Sequence, residues 1–192
     1  MGNDRLGATK PGNSLDSQWR NAQQQFSQAL KEAKSRAHAS ELDNIVKHAA
    51  LCEHTEQAVL TGSALDTAAV EAQRQALPAL SAANDAAMQQ RFTQALDRAD
   101  DATLSDNLAF KLDACLKLEV LLELESPQEC QAARMAYQIE RLNSSMKKDP
   151  GAQDSPRNLL LAVLASGAVP ADAAGTIEQR FNNCLARYKS RS

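Results

Sequence analysis

His48, Cys52 and Glu56 recur at steps of four, so in a helix they share one face. Those side-chain types bind zinc, but a zinc site needs three or four convergent protein ligands. His54 lies two positions past Cys52 and falls on another face. The spacing equally describes an ordinary half-buried helix face, and we expect that, with no metal and no cofactor. Nucleophilic catalysis needs an activated nucleophile with a base in reach. His38, His48 and His54 cluster in one region without a serine or cysteine motif beside them. The chain carries no G-x-S-x-G, no phosphate-binding loop and no G-x-G-x-x-G. We therefore expect a protein that is not an enzyme, with no evident small-molecule substrate.

Charged side chains offer a second kind of chemistry. Glu119, Glu123 and Glu125 could act as acids and bases. The simpler expectation is that Glu119 and Glu123 pair with Arg134 and Arg141 of the following helix. Arg134, Gln138 and Arg141 form a polar stripe at steps of four and three, and Lys147 and Lys148 extend it. These five residues are the candidate binding surface. Arginine and lysine suit phosphates or an acidic partner. Glu129, Glu140 and Asp149 dilute the charge nearby. Cys52, Cys115, Cys130 and Cys184 contain no CxxC pair, so they are expected as buried thiols that behave as small apolar residues.

The elements that must position these groups centre on the run Leu112–Met146. Leu112, Cys115, Leu116, Leu118, Val120, Leu121, Leu122 and Leu124 would be apolar on nearly every side of a helix, which marks a buried helix. The run is too short and too charged to cross a bilayer. Ser126-Pro127 stops it near Glu125 and starts the next helix, with Ser126 as N-cap. Met135, Ile139, Leu142 and Met146 then form one apolar stripe. The spacing predicts a tight antiparallel hairpin of these two helices.

Composition fixes the class. Among 192 residues, 43% are hydrophobic, only 4% aromatic, and glycine occurs 7 times. Alanine-rich, glycine-poor chains favour helix. We expect an all-α protein, an elongated helical bundle of antiparallel helix hairpins with about eight helices. The net charge of −3 argues against a surface that attracts nucleic acid everywhere. No signal peptide and no transmembrane run is evident, so the expected location is cytoplasmic, without a membrane partner.

In chain order, residues 1–13 read as a disordered leader, 14–148 as the helical bundle domain and 149–192 as a C-terminal two-helix extension. Helices are expected over 15–38 and 40–60, or as one long helix; Trp19, Phe26 and Leu30 are expected to pack into the core, the alternative being that they dock on a partner or on a preceding repeat unit. Thr61-Gly62-Ser63 supplies a glycine C-cap and a new N-cap. Further helices are expected over 64–77, ended by Pro78, and over 80–99, 104–125, 127–147, 156–165 and 171–189, with a linker at Lys147–Pro156.

Three stretches carry a family resemblance. KLEVLLELESPQECQAARMAYQIERL, QWRNAQQQF followed by ELDNIVKHAALCEHTE, and QALPAL followed by QQRFTQAL resemble, in order, parts of the bacterial helical domain-of-unknown-function family numbered 349 in that series. The likeness covers much of 17–146 and rests on Trp19, Phe26, Pro78, Arg91, Phe92, Arg134, Gln138 and Arg141. Gln75 and Leu77 stand where relatives often have an aromatic, and no internal repeat is present. The resemblance implies the C-terminal unit of a longer repeat protein, and no activity. The expectation is thus a non-enzymatic interaction or scaffold module with a protein partner. The alternative is a nucleic-acid- or ribosome-associated regulatory module that uses the basic stripe.

Overall fold

The computed structural model describes residues 12–146 and 154–191. Among them are seven α-helices, one short 3-10 turn and no strand, so the all-α class holds. The helices are α1 (Gly12–Thr61), α2 (Thr67–Ala76), α3 (Ala82–Ala95), α4 (Asp101–Leu121), α5 (Gln131–Met146), α6 (Pro156–Ala165) and α7 (Ala171–Arg191). The 3-10 turn, Gln128–Cys130, leads into α5. No described helix is long and apolar enough to cross a membrane. The expected leader lies outside the described residues apart from Gly12 and Asn13, which belong to α1. Lys147 and Lys148, and most of the expected linker, also lie outside them.

The chain forms two compact units, one ending at His38 and one beginning at Ala39. The described part of the first is the opening half of α1. From Leu15 to His38 its side chains are exposed, with Ser35 half-buried. Leu15, Trp19 and Phe26 are 68–71% exposed and Leu30 45%, so within the described part of this unit nothing covers the stripe. Periodicity shows that these residues share a face, but it cannot supply an element to cover that face.

The second unit holds the core. Gly62, at φ +68°, ends α1 as expected, and the Ser63 N–H donates to Ala58 O at 2.9 Å. The next N-cap is Asp66 rather than Ser63; its carboxylate accepts from the Ala68 and Ala69 N–H groups. Leu77, before Pro78, ends α2 in extended conformation. Asp100 caps α4 by accepting from the Thr103 N–H at 2.8 Å.

α4 is the central helix. Lys111, Ala114, Cys115, Leu116, Leu118, Glu119 and Val120 are buried around its circumference, with α5, α6 and α7 packed against it. Leu42, Ile45 and Ala49 of α1, Met88 of α3, Leu160, Val163 and Leu164 of α6 and Phe181, Cys184 and Leu185 of α7 complete one apolar cluster. The two helices of the 149–192 stretch thus sit in the principal core. Each such aliphatic or phenyl side chain stabilises the fold by roughly 1.5–3 kcal/mol on burial. A smaller cluster joins Cys52, Val70 and Phe92. Burial pushes the thiols of Cys52 and Cys115 up to about 11 and that of Cys184 up to about 12. Cys130 is half-buried.

α4 stops at Leu121, four residues before the expected end, although no glycine is there. Glu123 takes the left-handed conformation, φ 57°, and the Leu124 N–H donates back to Glu119 O at 2.8 Å. This glycine-type stop on a glutamate left no mark in the sequence.

Candidate functional site

The His48–Cys52–Glu56 face, expected as an ordinary half-buried helix face, is occupied by structure. His48, Cys52 and Glu56 are all buried on α1. The His48 ring Nε2 lies 2.9 Å from Pro78 O, which ties α1 to the turn after α2. Glu56 accepts two hydrogen bonds from Arg91, both 2.8 Å, and Arg91 also donates to Leu164 O at 2.7 Å. Among the described residues no three His, Cys, Asp or Glu side chains come together as metal ligands.

The expected pairing of Glu119 and Glu123 with Arg134 and Arg141 is overturned. Glu119 accepts from Arg180 of α7 at 2.8 and 3.0 Å, and Glu123 accepts from Arg191 at 2.6 Å. The partners are 61 and 68 positions away, where no helical spacing could reveal them. The basic end of α7 therefore serves α4: Arg187 also donates to Leu122 O at its C-terminus.

With those carboxylates taken, α5 adopts the opposite orientation to the one its sequence suggests. Cys130, Arg134, Arg141 and Ser144 are half-buried and Tyr137 is buried, all along one stripe. Arg134 donates to Ser126 Oγ at 2.6 Å, so Ser126 holds the arginine and does not cap the helix. The Tyr137 hydroxyl donates to Asp154 at 3.0 Å, and the Lys117 ammonium of α4 stands 5.7 Å from the Tyr137 ring centre. Lys117 also pairs with Asp113 at 2.8 Å. Burial, then the Asp154 hydrogen bond, raises the Tyr137 hydroxyl far above its ordinary value. The polar stripe is the packing face.

The apolar stripe is consequently outside. Met135 is 63% exposed, Ile139 53%, Leu142 64% and Met146 81%. At 1.5 Å rise per residue they run along about 16 Å of one helix face. Gln131, Gln138 and Ser145 flank it on one side and Ala132 and Asn143 on the other, all exposed. The hairpin of α4 and α5 thus forms with α5 turned over. Of the five expected site residues, Gln138 is beside this stripe, Arg134 and Arg141 lie along the packing face, and Lys147 and Lys148 lie outside the described residues.

No family model, no curated protein and no solved structure matches this chain. The surface of α5 must be read on its own chemistry. Four large apolar side chains in register, rimmed by uncharged amides and small residues, offer dispersion contact and shape. They offer no phosphate ligand. A face of this kind is how a helix meets another helix: ridges at steps of three and four fit the grooves of a partner. Methionine at both ends adds side chains that adapt to an irregular partner.

Proposed function

We propose that this chain is a non-enzymatic, cytoplasmic protein-interaction module of a bacterial helical repeat protein, and that it seats an apolar-faced helix of a partner protein along α5. The observation that supports this is the outward stripe of Met135, Ile139, Leu142 and Met146. Full burial of each such side chain is worth roughly 1.5–3 kcal/mol, a stabilisation that the free chain forgoes at all four positions. Contiguous apolar surface with a polar rim marks interaction sites in soluble proteins. The uncharged rim favours a protein helix over nucleic acid or an anionic membrane, both of which call for exposed lysine and arginine.

The test is capture from a bacterial lysate with the intact chain and with the triple variant Met135→Gln, Ile139→Gln and Leu142→Gln. We expect the intact chain to recover a stoichiometric protein that the triple variant loses, while helicity by circular dichroism is unchanged. Equal recovery by both chains, or recovery of nucleic acid alone, overturns the proposal.

A further inference from the structure

A cavity of about 260 Å³ opens between the second half of α1, α4 and the α6–α7 pair. Its walls are Val46, Val163, Leu164, Val169, Ile177 and Phe181, with Lys111 of α4 and Arg91 of α3 as the cationic lining residues. Lys111 is only 7% exposed. It forms no hydrogen bond and no ion pair among the described residues, whereas no fully buried side-chain nitrogen or oxygen there lacks a hydrogen-bond partner. The Lys111 ammonium therefore keeps its remaining contact with solvent, and the cavity that it lines supplies that contact.

The neighbouring charges are already committed. Arg91, 4% exposed, spends its guanidinium on both oxygens of Glu56 and on Leu164 O. That leaves one positive charge without a partner in an apolar setting. Burial, and then the Arg91 charge, depress the Lys111 amine below its ordinary value; Glu56 and Glu53 act the other way. A buried cation of this kind is stabilised by one hydrogen-bonded anion. Glu53 and Glu178 are exposed among the lining residues and oppose every anion there, a singly charged carboxylate least and a multiply charged phosphate ester most. The volume lies just under the roughly 300–1,000 Å³ of ordinary small-molecule sites, so the occupant is small.

We infer that this cavity is a binding site for a small apolar monocarboxylate, whose carboxylate pairs with the Lys111 ammonium and whose hydrocarbon lies against Val163, Ile177 and Phe181. The site stands apart from the α5 surface and does not depend on it. Its test is calorimetric titration of the full chain with hexanoate, with 1-hexanol and hexylammonium as probes of the same length. Hexanoate is expected to saturate one site and to bind about ten-fold or more tightly than hexanol, as one charge-assisted hydrogen bond implies. Lys111→Met is expected to erase that preference with helicity retained. Ala174→Leu, which adds bulk to the lining, is expected to weaken hexanoate while leaving Lys111 in place. Absence of saturation below about 10 mM hexanoate, equal binding of hexanol, tighter binding of hexylammonium, or undiminished hexanoate binding by either variant overturns the inference.

Discussion

At the scale of single residues, the second unit depends on a few buried charges. Arg91 and Glu56 are 4% and 7% exposed, and Lys111 beside them is 7% exposed. Removing one member of such a pair leaves the other charge buried and uncompensated, which costs about 3–5 kcal/mol. Glu56→Gln should therefore lower the free energy of urea unfolding by about that amount, since Arg91 loses its buried counter-charge. Asp43→Asn removes an ion pair with Lys189 whose side chains are 54% and 42% exposed, and should change stability by less than about 1 kcal/mol. Equal effects of the two substitutions would mean that the Arg91–Glu56 pair is solvated in solution. The pair is only half legible in the sequence. Glu56 stands out through its spacing from His48 and Cys52, but nothing in that spacing points to Arg91, 35 positions on. The motif read as a possible metal face proves to be three separate anchors of α1: a ring on the Pro78 carbonyl, a thiol in a small apolar cluster and a carboxylate on a buried arginine.

At the scale of elements, the stops were readable where glycine or proline made them, as at Gly62 and Pro78, and unreadable where Glu123 did a glycine's work. The central, all-round burial of α4 followed from its composition. The orientation of α5 did not, and the reason is general. Periodicity sorts a helix into faces, but which face packs is decided by the surface it meets. α4 packs its apolar side chains against α6 and α7, and towards α5 it presents Lys117, which favours an aromatic ring and a carboxylate over aliphatic carbon. Tyr137 therefore turns inward and Ile139 outward. This inversion predicts an unusual pair of mutational effects. Ile139→Ala, at a position 53% exposed, should alter stability by no more than about 0.5 kcal/mol. Tyr137→Ala, at 8% exposure and with its hydroxyl bonded to Asp154, should cost about 3–5 kcal/mol. Thermal or urea unfolding of the two variants checks this. The opposite ranking would show that the apolar stripe is buried in solution and that α5 has the orientation its hydrophobic pattern suggests.

At the scale of the whole molecule, α1 crosses the boundary between the two units, and its two halves have opposite environments. Leu42, Ile45, Ala49 and Cys52 are 4% exposed or less, whereas Leu15, Trp19 and Phe26 are 68–71% exposed. A helix without tertiary burial is held by propensity and short-range pairs alone, and lacks the packing of an apolar face that supplies most helical stability in proteins. The first half has such pairs: Gln28 donates to Glu32 at 2.8 Å and the Arg20 side chain to Asp16 O at 3.2 Å. A helix whose side chains enter a core opens only with the fold, and its amides share the global stability. Hydrogen exchange should therefore split one continuous helix in two. We expect amides over residues 19–30 of the free chain to exchange at least about a hundred-fold faster than those over residues 45–56, a difference of roughly 2.7 kcal/mol in opening free energy. The position of the step is as informative as its size, because burial begins abruptly at Glu41 and Leu42. Uniform protection along α1 in the free chain would show that the Trp19–Phe26 stripe is covered in solution, and that the first unit folds only against a second apolar surface.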